Sequence, residues 1–366
     1  MGSFSVMSRD NGHHQSVDTD QGSGTSSPAG DGAAAGWLAR ADSYQQQHRW
    51  LAFPFAVFRK FSDDQAGSLA ALIAYYAFFS TFPLLLALTT ILGYVLAGNP
   101  ALQQRVFSSA LGQFPIIGQH SPTQPLTGNP VALVIGLALA LWSGLAVAQM
   151  AQQAFNTVYG VPRAEWPTFV QSLLRSLELV AVGGIGLIIT TLLQGAISTA
   201  DLYGLRLGPT SAVIGGVIGV ALNTALFTYL FRRLTIRSPG WREVFVGAAL
   251  AAVAWFVLQK VGTSLVNSKI SGAQGTYGTF AVVIGLLFWF YLLSQITMFC
   301  AEVNVVLTRR LWPRGLRSLT ELQATTAADR AAYEAYPHLE RQVHNLRVDT
   351  QVVTSDQPPP TGDGHP

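Results

Sequence analysis

Acidic and amide side chains beside long apolar segments are the residues of this 366-residue sequence that could do chemistry. Five of them gather at what we predict to be one end of a helix bundle: Asp63, Asp64, Glu178, Glu302 and Asn304. An ionisable group costs about 2.5–3.5 kcal/mol at the centre of a membrane. Its presence in or beside an apolar segment therefore suggests a function.

Two interpretations of these polar residues remain open. In the first, they line a cytoplasmic vestibule in which Arg163 or Arg175 holds an anionic headgroup. Glu302 and Glu178 then change protonation or pairing between two states. In the second, the same residues form ion pairs that only fasten the helices together. Lys260 lies toward the predicted outer end of the fifth apolar segment, and we expect its side chain to extend toward the outer headgroups.

Motifs of soluble enzymes are absent from the sequence. None of the seven histidines has a His-x-His or His-Glu-x-x-His spacing, and a single cysteine, Cys300, cannot build a cysteine zinc site. No Gly-x-x-x-x-Gly-Lys-Ser/Thr phosphate loop is present. We therefore expect no metal, no cofactor and no enzymatic activity.

Long stretches without charge predict six membrane-spanning helices. Hydrophobic residues make up 49% of the chain and charged residues 11%, against roughly 25% charged in soluble proteins. Each apolar segment is long enough to cross a bilayer. The first is longer than a bilayer requires, so we expect a kink at Pro83. The predicted fold is an all-α polytopic bundle with spans at 66–97, 131–155, 177–198, 210–231, 244–266 and 280–307.

Basic residues near the segment ends predict the orientation of the bundle. Most of them fall on the side of the N-terminus, and positive charge marks the cytoplasmic side. We therefore expect both termini in the cytoplasm. Since membrane orientation explains the basic residues, we expect no nucleic-acid partner.

The rest of the chain divides into tails, a juxtamembrane segment and loops. Pro54 is expected to break or begin the juxtamembrane helix, and an amphipathic helix is predicted in the loop over 98–130. The predicted regions are a disordered cytoplasmic tail (1–36), a juxtamembrane interfacial helix (37–62), the transmembrane domain (63–310), and a cytoplasmic tail (311–366) that begins as a frayed helix and is largely disordered at its end.

Amide and glycine residues predict close packing between spans. Asn156 shares one helical face with Gln149 and Gln153 at the end of the second segment, and amides on one face commonly join helices in membranes. Gly183 and Gly186 in the third segment would let a neighbouring backbone approach.

Short motifs spread over residues 55–310 are similar to those of a known family. They lie at 74–85, at 155–160 with Arg163, at 247–248 with Lys260, at 277–278, at 289–291 and at 301–304. In this order they resemble the YihY/virulence factor BrkB family of bacterial membrane proteins, some of which once carried the label ribonuclease BN. The resemblance implies about six helices in the cytoplasmic membrane, and it adds Tyr277 to the substrate-path candidates. Cys300 stands where the family pattern Gly-Ala-Glu has glycine, which predicts a less close helix contact.

These observations lead to a hypothesis about function. We expect a transporter or flippase-like permease for a lipid or envelope component in the bacterial inner membrane, with membrane lipids and a lipid-linked or amphiphilic substrate as its partners. The alternative is a non-transporting scaffold that supports envelope integrity. A membrane-bound hydrolase or ribonuclease would need a metal-binding cluster of acids or histidines, which the sequence lacks.

Overall fold

The chain folds into long α-helices in a computed structural model, which describes residues 29–95, 130–199, 209–277, 279–316 and 326–339. A short 3-10 turn at Arg163–Glu165 joins two of the helices. Within the described ranges the helices are α1 (Ala29–Gln47), α2 (Arg49–Asp63), α3 (Ala66–Val95), α4 (Pro130–Val158), α5 (Phe169–Thr199), α6 (Pro209–Leu234), α7 (Trp241–Tyr277), α8 (Thr279–Arg309) and α9 (Ala327–Leu339).

Six of the helices, α3 to α8, are long and apolar enough to cross a membrane. Only 17–33% of the residues in their most apolar windows are buried inside the protein. Large apolar side chains such as Trp142 and Val217 are therefore exposed. A helix in lipid satisfies its own backbone hydrogen bonds and can expose apolar side chains to the acyl chains. The prediction of an all-α fold is confirmed for the described residues, and so is the prediction of six helices suited to span a membrane.

The spanning helices form a closed ring. Each packs against its neighbour in the chain, and α8 packs back against α3. Contacts across the ring join α4 to α6 and to α8. They include Phe155, whose ring centroid lies 5.0 Å from that of Phe231, and Tyr159, whose carbonyl accepts a hydrogen bond from Arg309. The ring is therefore held together across its centre where α4 ends.

Shorter helices cover this end of the ring, which we call the charged end. Helix α2 buries Ala56 and Val57 against Val303 and Val306 of α8. Arg59 of α2 then ties in the segment after α8, because its Nη1 donates to the carbonyl oxygen of residue 315 over 2.9 Å. The segments that precede and follow the six spans thus lie at the same end.

The juxtamembrane segment differs from the predicted helix over 37–62. It contains two helices, α1 and α2, which meet at His48. Pro54 lies inside α2, so the prediction that it breaks or begins a helix is wrong. Helix α1 starts at Ala29, within the predicted tail, while residues 1–28 lie outside the described part of the chain.

Two other predictions concern α3 and the loop after it. Pro83 lies inside α3, where its lack of an N–H removes one helical hydrogen bond. The kink expected there stays a prediction. An amphipathic helix is also expected in the loop over 98–130. Residues 96–129 lie outside the described part of the chain, so this expectation stays a prediction.

Glycines bring neighbouring spans close together at a few positions. A Cβ atom added to Gly247 of α7 would lie 2.1 Å from the carbonyl oxygen of Cys300 on α8. Helices α7 and α8 are therefore close at Cys300, although the sequence predicts a less close contact there. Gly247 on the facing helix supplies the space that the family glycine would give. A Cβ atom on Gly186 would lie 2.7 Å from Leu226 of α6, whereas one on Gly183 would meet nothing within 4 Å.

Replacement of Gly247 by alanine should destabilise the bundle. The new methyl group would overlap the backbone of α8, and overpacking of this kind costs about 1–3 kcal/mol. We expect Gly247→Ala to lower the thermal unfolding temperature of the detergent-purified protein. Gly183→Ala is the matched control, because its methyl group has open space and alanine favours a helix. Equal unfolding temperatures for Gly247→Ala and the native protein would contradict the close contact.

Candidate functional site

A buried lysine joins three helices at the charged end. Nζ of Lys60, on α2, lies 3.1 Å from Oε2 of Glu302 on α8 and pairs with Asp64 one helical turn further on. It also donates to the carbonyl oxygen of Val158 at the end of α4, over 3.1 Å. Glu302 is fully buried and Lys60 is 6% exposed. We call Lys60, Asp64 and Glu302 the Lys60 cluster.

The Lys60 cluster contains two carboxylates and one ammonium group. Burial lowers the pKa of Lys60, but the charges of Glu302 and Asp64 raise it by more, so its pKa lies above the ordinary value and the amine stays charged. Asp64 also accepts a hydrogen bond from Tyr336 over 3.2 Å. Among the described residues, Oε1 of Glu302 has no hydrogen-bond donor. Counted by themselves, the three groups have one negative charge more than positive when both carboxylates are ionised, and the nearby Arg309 guanidinium attracts both carboxylates. Glu302 can therefore accept a proton.

A second set of charges holds helix α9 against the spanning domain. Arg314 is fully buried. Its Nη1 lies 2.8 Å from Oδ2 of Asp63, and its Nε donates to Oδ1 of Asp329 over 3.0 Å. The other oxygen of Asp329 accepts from the backbone N–H of residue 315 and from Thr326. We call Asp63, Arg314 and Asp329 the Arg314 network, and it joins the end of α2 to the start of α9.

Asn304 joins three parts of the ring through one buried amide. Its Oδ1 accepts from the backbone N–H of Gly247 over 2.6 Å. Its Nδ2 donates to the carbonyl oxygen of Val244 over 3.2 Å and to the Tyr159 hydroxyl over 3.4 Å. The Asn304 side chain therefore joins α7 and α8 to the residue that follows α4. Asn304 lies two positions after Glu302.

Glu178 forms a separate ion pair and does not join the Lys60 cluster. Nε of Arg233, on α6, donates to Oε1 of Glu178 over 2.8 Å, and Nη2 pairs with the other oxygen. Tyr229 also donates to Oε1. Arg175, on the same helix as Glu178, attracts its carboxylate electrostatically. About a third of each partner's side chain is exposed, so we expect this pair to contribute less than a buried one.

The remaining candidates lie around the connection after α4 and on α7. Oδ1 of Asn156 accepts from the backbone N–H of Ile236 over 3.0 Å, which links α4 to the end of α6. The Arg163 guanidinium lies 5.3 Å from the ring centroid of Trp166. Lys260 and Tyr277 belong to α7, but their side chains lie outside the described part of the structure.

Several residues of the site were not candidates from the sequence. They are Lys60, Tyr159, Arg314, Asp329 and Tyr336. The spacing of four between Lys60 and Asp64 is a readable signal for a helical ion pair. Most of the other contacts join distant parts of the chain, as Arg59 does with a carbonyl 256 positions away, and no local sequence pattern predicts those. Within the described ranges, no three His, Cys, Asp or Glu side chains are grouped so that they could hold a metal ion.

Comparison with known proteins identifies the family. The family model for Virulence factor BrkB matches residues 57–319. This range begins in α2 and contains the whole Lys60 cluster together with Asp63 and Arg314. The chain belongs to the Virulence factor BrkB family. The resemblance found in the sequence motifs is therefore confirmed.

Two of three relatives of this BrkB family protein are named as membrane proteins, and the third as ribonuclease-like. The inner membrane protein YhjD of Escherichia coli (strain K12) is 26% identical over 260 residues, which cover 66% of this chain and 77% of YhjD. A UPF0761 membrane protein of Acinetobacter baylyi is 23% identical over 267 residues, or 71% of this chain and 62% of the relative. The ribonuclease-like protein YfkH of Bacillus subtilis is 23% identical over 275 residues, or 71% and 96%. No solved structure matches the chain.

Removal of the Lys60 ammonium group should cost more than removal of the whole Lys60–Glu302 pair. Lys60→Met leaves two buried carboxylates without their cation, and breaking a buried pair in this way costs about 3–5 kcal/mol. In Lys60→Met/Glu302→Gln one of these charges is gone, so we expect a higher unfolding temperature than for Lys60→Met. Thermal unfolding of the detergent-purified variants measures this difference. If the double variant is no more stable than Lys60→Met, the charges of Lys60 and Glu302 are not coupled.

The docking of α9 should weaken in acid. Burial raises the pKa of Asp329, but its hydrogen bonds with residue 315, Arg314 and Thr326 lower it by more, so its pKa lies below the ordinary value of 3.8. A carboxyl group with a lowered pKa stabilises the fold fully above the ordinary value, and this contribution is lost progressively as the pH falls from that value through the lower pKa of the folded state. We expect a nitroxide label at exposed Glu334→Cys, read by electron paramagnetic resonance, to gain motion below about pH 4.

Asp329→Asn supplies the control for this pH dependence. Without the carboxylate, the label on α9 should move freely already at neutral pH. The native Cys300 is buried, which favours selective labelling of the introduced cysteine. Unchanged label motion from neutral pH down to about pH 3 would contradict the role of Asp329.

Proposed function

We propose that this chain is a proton-linked permease of the bacterial cytoplasmic membrane that moves a lipid or another amphiphilic component of the envelope. The Lys60 cluster carries the proposal, because two buried carboxylates share one ammonium group beside a ring of spanning helices. Unbalanced buried charge is costly unless a proton or cation neutralises it. Ionisable groups in such places mark proton and ion pathways in membrane proteins.

Proton uptake by the Lys60 cluster can be linked to helix movement. A proton on Glu302 would remove most of the attraction between Glu302 and Lys60, which weakens the hold of α2 on α8. Loss of the proton would restore it. Since Lys60 also donates to the carbonyl of Val158 at the end of α4, one protonation would act on three helices. A transporter needs two such arrangements of comparable free energy.

The contacts across the ring supply a gate in this proposal. Asn304 lies two residues after Glu302 and contacts the Tyr159 hydroxyl. Phe155 meets Phe231 at the same end of α4. A shift of α8 at Glu302 would therefore act on the contacts that hold the ring together there. The substrate would pass where α4 separates from α6 and α8.

The remaining polar residues have roles along this path. Arg163 and Arg175 would hold an anionic headgroup near the gate, and Glu178 would exchange its pairing with Arg233. Lys260 and Tyr277 are candidates for contacts farther along the path, on α7.

We place the charged end and both termini in the cytoplasm. Arginines are frequent in the connections at this end, and the excess of basic residues marks the cytoplasmic side. The name of YhjD as an inner membrane protein supports the same membrane. In this orientation, the Lys60 cluster would exchange its proton with the cytoplasm. We propose membrane lipids and the transported amphiphile as the partners, with no nucleic acid.

A non-transporting scaffold is the second candidate, and the Arg314 network favours it. Buried Arg314 links Asp63 to Asp329 and so holds α9 rigidly against the spanning domain. Such a platform could support other envelope components without moving a substrate. The Lys60 cluster would then only fasten helices.

Lipid translocation in proteoliposomes distinguishes the two candidates. The native protein and Glu302→Gln would be reconstituted, and the movement of fluorescent phospholipids between leaflets would be followed with and without an imposed proton gradient. We expect the native protein to accelerate this movement and Glu302→Gln to slow it by about tenfold or more, because the amide keeps the shape of the side chain but cannot exchange a proton.

Glu334→Gln is the matched control for this experiment. Glu334 is exposed on α9, so the same chemical change there should leave the rate at the native value. A fully active Glu302→Gln would contradict the role of the cluster in transport. The absence of movement by folded native protein with every lipid would contradict the permease and favour the scaffold.

A further inference from the structure

A basic cavity lies beside the end of α8 and shares no residue with the Lys60 cluster. Its volume is about 610 Å³. Residues 309–313, which include the end of α8, form one wall, and the first turns of α9 form another. The lining residues are Gln46, Arg309, Arg310, Leu311, Trp312, Pro313, Thr326, Ala327, Ala328, Arg330 and Ala331.

The charge of this cavity is entirely positive among the described residues. Arg309, Arg310 and Arg330 line it, and no described acidic side chain does. Arg310 and Arg330 are exposed. Arg309 donates one of its hydrogen bonds to the Tyr159 carbonyl, which fixes its position at the cavity wall. Three arginines lining one cavity favour the binding of an anion.

The backbone at Arg310 adds an independent observation. Its φ angle is +53°, in the left-handed region where glycine is the ordinary residue after a helix. The backbone N–H of Leu311 donates to the carbonyl of Val306 over 3.2 Å, as expected for such a helix end. An arginine here destabilises the backbone relative to glycine, and it places a guanidinium at the cavity. Strain of this kind is often retained at functional sites.

The position of the cavity relative to the membrane indicates the chemistry of the ligand. Arg309 is the last residue of the span Val283–Arg309, so the cavity begins where the apolar helix surface ends. The phosphates of a bilayer lie at this depth, just outside the hydrocarbon core. Guanidinium groups bind phosphate through paired hydrogen bonds.

We propose that this cavity binds a phosphoryl group, as carried by the headgroup of an anionic phospholipid or by a soluble phosphate compound. The site would hold the charged end at the membrane surface through its own arginines. None of its residues belongs to the Lys60 cluster, so phosphoryl binding can be measured separately from transport.

Binding of phosphatidylglycerol to the purified full-length protein tests this site. Native mass spectrometry gives the apparent dissociation constant for the native chain and for Arg310→Gly/Arg330→Gln. We expect the constant to rise about tenfold or more in the variant, because two charge-assisted hydrogen-bonding groups are lost. Glycine suits the left-handed backbone at position 310, so the variant should unfold at or above the native temperature.

Arg40→Gln is the matched control, since Arg40 is an exposed arginine of α1 that does not line the cavity. It should bind phosphatidylglycerol as the native chain does. Competition by inorganic phosphate separates the two sources of the ligand. Loss of lipid binding that is specific to the cavity variant supports a lipid headgroup, and phosphate binding that is lost in the same variant supports a soluble ligand. Equal binding of both probes by the cavity variant and the Arg40→Gln control would overturn the proposal.

Discussion

The buried contact between Lys60 and Glu302 is the interaction on which the charged end depends. Lys60 belongs to a helix outside the spans, whereas Glu302 belongs to a helix that is apolar enough to cross the membrane. A carboxylate buried without a cation would cost several kcal/mol. Helix α8 can therefore keep this charge only while α2 remains docked. The apolar contact of Ala56 and Val57 with α8, beside the pair, helps to keep α2 docked.

The other networks extend from the same point in the chain. Asp63 and Asp64 are adjacent, yet Asp64 belongs to the Lys60 cluster and Asp63 to the Arg314 network. Any shift of this dipeptide would therefore reach both α8 and α9. Asn304 carries the connection from α8 to α7 and to Tyr159. The charged end thus behaves as one connected unit, which suits either a switch or a rigid platform.

Much of the fold could be predicted from the sequence, because a span is a local property. The long gaps between charged residues mark the spans, and the cost of burying a charge marks Glu302 as unusual. The partners of Glu302 could not be predicted, since Lys60 lies in a segment whose aromatic and basic residues also suit a membrane surface. Its small residues, such as Ala56, pack on α8 instead. Helix α9 has an ordinary helical pattern, and only Asp329 and Arg314 together reveal that it docks.

Proton uptake by Glu302 is the step on which the proposed transport mechanism depends. Infrared difference spectra of the protein in nanodiscs across a pH titration test it most directly, because a protonated carboxylic acid has its own carbonyl stretching band. We expect one such band that grows as the pH falls, is missing from Glu302→Gln and persists in Glu334→Gln. Identical titrating bands in the native protein and in Glu302→Gln would show that Glu302 takes up no proton, which would contradict the claim.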